Sequence, residues 1–315
     1  MESLGAHCEG PFIHPKKKGA HSEEYILAPE GGLASLKAVY GEENLRPQPD
    51  STGQSPAIRK VTIAPEIPGA LDSIRALTQD HGIICSIGHT TATYEQGLEA
   101  VRAGGSVITH LFNAMEPYLH RVPGLVGLVS APVTDLAVRP YFGLIADGIH
   151  LSPSGVCGAW AMGEDKCILT TDATAVTGLP DGTYDSRLGV KVAKTGKKLV
   201  IEGTDTVAGG YVAPPSLTIS SANGSTIDSA ATLLECVNNL IRWTGINAAR
   251  ALKTVTETPA RMLGCLDTKG KLQPGADADL VVFSWAKSIE HEQEISEVDQ
   301  VWKFGVKVFD RQDQS

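Results

Sequence analysis

The sequence predicts an α/β fold whose core is a parallel (β/α) barrel, and three observations carry that prediction. Short apolar runs recur along the first half of the chain without strict alternation, the pattern of strands buried on both faces of a parallel sheet. Helix-length stretches follow most of them. The runs end, one after another, in Glu9, Glu66, His89, His110, His150 and Asp172. Ionisable residues gathered at the C-terminal ends of many parallel strands are how a barrel builds a site. The competing architecture, a doubly wound open sheet, would place a Gly-rich phosphate loop after its first strand. Neither G-x-G-x-x-G nor G-x-x-x-x-G-K-[ST] occurs in the sequence.

The elements follow in order. Strands are expected within 4–9, 61–66, 83–89, 106–110, 141–150 and 166–172, with helices at 69–79, 93–103 and 152–162. Segment 41–57 is rich in Gly, Pro, Ser and Gln and reads as a surface loop. Segment 184–202 reads as a hairpin turning at 194–197. Two helices are expected at 229–243 and 247–255; the first carries Leu233, Val237, Leu240 and Ile241 at helical spacing, and Gly245 is its stop. A β-rich tail begins at 271, with strands at 280–283 and 300–304 suited to a small antiparallel sheet. Six barrel strands are two short of eight, and none is legible after Asp172, so the missing pair is expected to precede Met1. The predicted class is therefore a (β/α)8 TIM-type barrel lacking its first two strands, with a remnant small β-sandwich domain at the C-terminus. The barrel would occupy 1–265, with the hairpin insertion at about 184–202, and the small domain 266–315.

Composition narrows the function. A chain of 315 residues, 42% hydrophobic and 20% charged, can bury a core without disulfide staples. A net charge of −9 argues against a general nucleic-acid or anionic-membrane binder. An anionic ligand would have to be held by a few local donors. The six cysteines include no C-x-x-C pair and read as reduced thiols of a cytoplasmic protein. The N-terminus lacks the pattern of a signal peptide, and no apolar run approaches the roughly 18 residues of a membrane span.

The chemistry centres on Glu9, His89 and His110. One carboxylate and two imidazoles at three strand ends make a common catalytic zinc set: one divalent ion per subunit, with a fourth position left for water. A lone strand-end histidine is more often a hydrogen-bonded structural residue; three such residues together shift the balance towards a metal centre. Asp172, in ILTTDAT, is placed to accept a proton from water and return it to a leaving amine, although an N-cap or Asx-turn role suits the residue type equally. His150 and His21 could contact substrate hydroxyls or the reacting carbonyl, or be half-exposed structural histidines. Arg121, in HRVPGLVG, could fork onto a phosphate or be solvated. Lys16, Lys17 and Lys18 read as a solvated run.

The segments GAHCEGPF, KKGAH, VTIAPE, SIGHT, THLFNAM, RVPGLVG, IADGIH and TTDAT, followed by ETPARMLG and KGKLQPGADADLVVF, occur in that order. Over nearly the whole chain they resemble the N-acetylglucosamine-6-phosphate deacetylases of the amidohydrolase superfamily. GAHCEGPF, THLFNAM and IADGIH are the specific segments; PGADADLVV marks only the wider superfamily. The resemblance implies that Glu9, His89 and His110 bind the metal, zinc for preference, and that Asp172 is the general base and acid. It implies that His150 contacts the sugar and helps polarise the acetamide carbonyl. Ala20, His21, Asn113 and Ala114 would line the substrate pocket, Arg121 would lie near the 6-phosphate, and Val207, Ala208 and Gly209 would close over the substrate. The implied reaction converts N-acetylglucosamine 6-phosphate to glucosamine 6-phosphate and acetate, in a homodimer, with no nucleic-acid or membrane partner. In the family, GAHCEGPF matches the third barrel strand, which agrees with the deficit of two strands. Two other expectations stand beside this one: a shortened, catalytically silent product of a deacetylase gene, and an amidohydrolase with another amide substrate.

Overall fold

The structure, a computed structural model, describes residues 2–46, 56–185, 191–196, 198–201, 228–229, 231–285 and 295–314. Its central feature is a six-stranded sheet in the order β1-β2-β3-β4-β5-β6, with β1 Ala6–Glu9, β2 Ile58–Ile63, β3 Ile84–Ile87, β4 Gly105–Ile108, β5 Tyr141–Leu144 and β6 Cys167–Leu169. Strand order follows chain order. The pairs from β1 to β5 are parallel, so each connection between them is a crossover. Each of the six runs read from the sequence overlaps one of these strands; β2 and β4 begin before their runs, at Ile58 and Gly105.

Two of the strands stop well short of the ends of their apolar runs. The run at 141–150 yields a strand that stops at Leu144, and the run at 166–172 one that stops at Leu169. Two or three residues past the strand ends, His89, His110 and Asp172 have φ of 49°, 26° and 50°. Such values are uncommon outside glycine and end a strand locally.

The chain forms two compact units, Met1–Gly143 with Asp172–Ala230, and Leu144–Thr171 with Ala231–Ser315. In the first, Val61, Ile63, Cys85, Ile87 and Ile108 are all fully buried, which accounts for the unbroken apolar runs. Helix α1 (Leu33–Tyr40) joins α2 (Glu42–Leu45) through Gly41, whose φ of 80° lets one residue make the corner. The expected loop at 41–57 therefore begins as a helix. Leu45 is fully buried, and Glu42 pairs with both Lys37 and Arg46. Residues 47–55 of that expectation lie outside the described residues. Helix α3 (Ala70–Arg75) runs on into a wider turn at Ala76–Asp80. Helix α4 (Tyr94–Ala103) opens with a capping box between Thr93 and Gln96 and stops at Gly104.

The hairpin is part of a larger sheet than the sequence suggested. Strands β7 (Gly182–Asp185), β8 (Lys191–Thr195), β9 (Lys198–Ile201) and β10 (Asp228–Ser229) form an antiparallel sheet in the order β10-β9-β8-β7. The turn falls between Thr195 and Lys198, as the sequence indicated. Val176, Val192 and Leu199 make a small buried cluster with Ala20 and Tyr184 packed against it.

In the second unit, α5 (Pro153–Gly163) has Ser152 as its cap and proline at its first position. Helix α6 (Leu233–Thr244) has a Thr232–Glu235 capping box and ends at Gly245, with φ of 71°. Cys236, Val237, Leu240 and Ile241 are its buried face. Helices α7 (Ala248–Lys253) and α8 (Glu257–Met262) follow; α8 was not expected. The tail is an antiparallel sheet of β11 (Leu280–Trp285), β12 (Ile295–Lys303) and β13 (Val306–Asp310). All six cysteines are free thiols. Among the described residues no helix is long and apolar enough to cross a membrane.

Candidate metal centre and active site

Glu9 is the last residue of β1, His89 stands two residues past β3, and His110 two past β4. Their side chains converge. Glu9 Oε1 lies 2.6 Å from His89 Nε2 and 3.1 Å from His110 Nε2, and the two ring nitrogens are 3.0 Å apart. Both histidines are almost completely buried.

Burial works against charge on His110, yet the charge and hydrogen bond of Glu9, with Asp172 adding to them, raise its pKa to about 9. Burial likewise opposes the Glu9 carboxylate, and the two imidazoles hold it well below the usual carboxylate range. Burial lowers the pKa of His89, against the pull of Glu9. The cluster thus demands one positive charge, and without a metal ion a proton on imidazole supplies it.

A divalent ion fits this donor set on two grounds. The three donor atoms meet at one point, and they are a carboxylate oxygen and two imidazole nitrogens, a set suited to zinc and related ions. The second ground is tautomeric. His89 Nδ1 lies 2.6 Å from the carbonyl of Lys17, so Nδ1–H donates there and the Nε2 lone pair faces Glu9 and His110. His110 Nδ1 is buried without a partner among the described residues.

The surrounding backbone holds these side chains in place. The amide of His14 donates to the carbonyl of His89 at 2.9 Å, and that of Thr90 to the carbonyl of Ala114 at 3.0 Å. Gly88 is required by close approach, since a Cβ there would stand 2.6 Å from the Thr109 side chain; a Cβ on Gly19 would crowd the His89 ring at 3.2 Å. Buried hydroxyls link the same strands. His7 Nε2 to Thr62 Oγ1 is 2.8 Å, Thr62 to Thr109 2.9 Å, and Ser86 to Thr109 2.5 Å. Burial and the charge of Lys60 lower His7 to about 4, so it meets Thr62 as a neutral ring at pH 7.

The remaining sequence-predicted residues are distributed as follows. Asp172 is exposed, and its charge is felt by His110 and Lys60. His21 packs edge-on to His89, ring centroids 5.0 Å apart, and its ring nitrogens face the carbonyls of Lys18 and Glu9. Ala20 belongs to the small cluster under the hairpin. Asn113 and Ala114 are buried in the turn after His110; the amide of Asn113 donates to the His110 carbonyl, and Ala114 has φ of 50°. Arg121 is exposed at a two-residue tip between Leu119 and Val122, which pair through both backbone bonds. His150 belongs to the second unit. There Asp147 Oδ2 accepts from its Nδ1 at 2.7 Å, and Asp147 Oδ1 accepts from the amides of Ile149 and His150. Val207, Ala208 and Gly209 lie outside the described residues.

Three residues have a part here that the sequence reading missed. Lys17 is not solvated. Its carbonyl orients His89, and its ammonium, 16% exposed, bonds the Met115 carbonyl at 3.0 Å and the Glu116 carboxylate at 3.1 Å. Asp147 orients His150. Glu66 bonds the two threonines that follow His89. The last carried a readable signal, since a glutamate closed the second apolar run; the other two depend on the path of the chain.

Comparison with known proteins bears on the family of the chain. The amidohydrolase family model matches residues 3–308. An N-acetylglucosamine-6-phosphate deacetylase of Danio rerio is 35% identical over 283 residues, 89% of this chain and 61% of the relative. An N-acetylgalactosamine-6-phosphate deacetylase of Escherichia coli O157:H7 is 33% identical over 281 residues, 89% of this chain and 64% of the relative. Among solved structures, a mutant N-acetyl-D-glucosamine-6-phosphate deacetylase of Mycobacterium smegmatis, in complex with N-acetyl-D-glucosamine-6-phosphate, superposes with a TM-score of 0.74 at 30% identity. That match covers 96% of this chain and 68% of the other. The chain spans about three fifths of the length of the curated relatives it matches. From its metal-capable strand ends to its tail sheet, the chain belongs to the amidohydrolase family, with N-acetylglucosamine-6-phosphate and N-acetylgalactosamine-6-phosphate deacetylases among its relatives.

Proposed function

We propose that the chain hydrolyses the N-acetyl group of N-acetylglucosamine 6-phosphate, releasing acetate and glucosamine 6-phosphate. The observation that carries this reading is the meeting of Glu9 Oε1 with His89 Nε2 and His110 Nε2 inside a fold shared with deacetylases. A divalent ion, zinc by preference, held by these three residues would supply Lewis-acid polarisation of the acetamide carbonyl and activation of water.

The protein's own groups do the rest. Asp172 accepts the proton of the attacking water and then delivers it to the departing amine, because an unprotonated amine leaves poorly. His150, its Nδ1–H committed to Asp147, directs its other ring nitrogen to the sugar and the carbonyl oxygen, where negative charge develops. His21, Ala20, Asn113 and Ala114 shape the sugar pocket. Arg121, exposed on its tip, takes the 6-phosphate. The reading includes a homodimer acting in the cytoplasm, with a barrel of 1–265 and a small β domain of 266–315.

The test is acetate release by the purified chain, alone, from N-acetylglucosamine 6-phosphate, its galactosamine epimer and unphosphorylated N-acetylglucosamine. Turnover of the phosphorylated glucosamine sugar above the other two supports the proposal. Metal-loaded protein with no turnover of any of them would point to the catalytically silent reading.

A further inference from the structure

We propose that Glu66 is a positioning residue for His89: its carboxylate clamps the backbone turn from which that histidine reaches the metal centre. This rests on the reading of Glu9, His89 and His110 as a metal site.

Glu66 lies three residues beyond the end of β2. Both of its oxygens are engaged. Oε2 accepts from the Thr90 hydroxyl at 2.5 Å, and Oε1 accepts from the Thr91 amide at 2.6 Å and the Thr91 hydroxyl at 3.1 Å. Three donors on two consecutive residues fill a carboxylate well, and they follow His89 directly. With three of its roughly four acceptor sites taken up by Thr90 and Thr91, Glu66 is committed to the loop.

His89 needs such support. Its φ of 49° lies in the left-handed region, where a residue with a Cβ is strained and persists only when its surroundings fix it. The Lys17 carbonyl sets the rotation of the ring, and the amide of His14 holds the His89 carbonyl. Neither holds the chain beyond His89. Glu66 does. The Thr90 hydroxyl also accepts the amide of Ala92 at 2.9 Å, so the clamp runs on to the Thr93 cap of α4. The Thr90 amide bonds the Ala114 carbonyl at 3.0 Å, tying the same turn to the loop after His110. One carboxylate thus fixes a turn shared by the two loops that present the imidazoles.

The test measures metal affinity by chelator competition and the visible absorption of the cobalt(II)-loaded protein. Both are read on the unaltered chain and on Glu66→Ala, Glu66→Gln and Thr90→Val. Glu66→Ala should bind metal roughly 10- to 100-fold more weakly and shift the cobalt bands, as losing a group that orients a ligand does. Glu66→Gln should recover most of the affinity, because its amide oxygen still accepts from Thr91. A general loss of stability would give neither the band shift nor the rescue. Glu66→Ala with the affinity and spectrum of the unaltered chain would overturn the inference while leaving the metal site standing. If Glu66→Ala does not fold, Thr90→Val, which deletes the Thr90 bond to Glu66 together with the one from the Ala92 amide, carries the test: a several-fold loss supports the clamp, and none contradicts it. An unaltered chain that binds no metal would sink the metal reading and this inference with it.

Discussion

Glu9 and His110 stand as an ion pair around a place for one positive charge. Burial opposes the imidazolium, but the carboxylate 3.1 Å from its Nε2 raises the His110 pKa from 6.5 to about 9. A carboxylate and two imidazoles in a protein interior need a cation, and the proton on His110 competes with a metal ion for that role.

A pH dependence follows with a definite sign. In the metal-free chain His110 is more basic folded than unfolded. Its contribution to stability is complete below pH 6.5 and is lost as the pH rises through about 9. Urea unfolding in the presence of a chelator should therefore show stability falling across that window. Metal binding must displace the same proton, so affinity should tighten with rising pH up to about 9, with close to one proton released per ion; calorimetry in two buffers of different ionisation enthalpy reads the number.

Asp172→Asn should keep the metal and lose turnover. The amide can neither take a proton from water nor return one to the amine, and kcat should fall by roughly 10²–10⁴-fold or more. Metal content and the rate of acetate release, measured on one preparation, check this. An active Asn variant would contradict the role given to Asp172.

Asp147→Asn tests how His150 is oriented. The carboxylate is fully buried and accepts three donors, one of them His150 Nδ1. An amide in its place no longer fixes the proton on Nδ1, and kcat should drop on the order of 10²-fold with metal affinity unchanged. Nitrogen NMR of the imidazole, which distinguishes the two tautomers, should show His150 leaving the Nδ1–H form.

Thr109→Val removes the middle of the hydroxyl chain. Thr62 and Ser86 would each lose a partner in a buried setting, at a cost of about 1–3 kcal/mol. Urea titration of the metal-loaded variant should show a lowered midpoint with an unchanged slope. A neutral result would mean that the two remaining hydroxyls satisfy each other.

The sequence disclosed the site better than its supports. An ionisable residue closing an apolar run is a local signal, and it found Glu9, His89 and His110, which do converge. It could not show that the run at 141–150 leaves the sheet at Leu144, because Ile145 and Ala146 are as buried as the strand itself. Asp147 then makes an Asx turn that presents His150. Lys17 was misread because its contact with His89 is made by a backbone carbonyl, to which residue type gives no clue. The loop expected from residue 41 was a reading of composition. It overlooked Leu45, whose burial holds α2 in place.

The most direct measurement is the metal content of the purified chain beside that of Glu9→Gln and His110→Ala. If the three strand ends form a metal centre, the unaltered protein should carry close to one divalent ion per chain, and each variant should lose most of it. An unaltered chain without metal after exposure to zinc, or variants that retain it in full, would contradict the assignment on which the proposed chemistry stands.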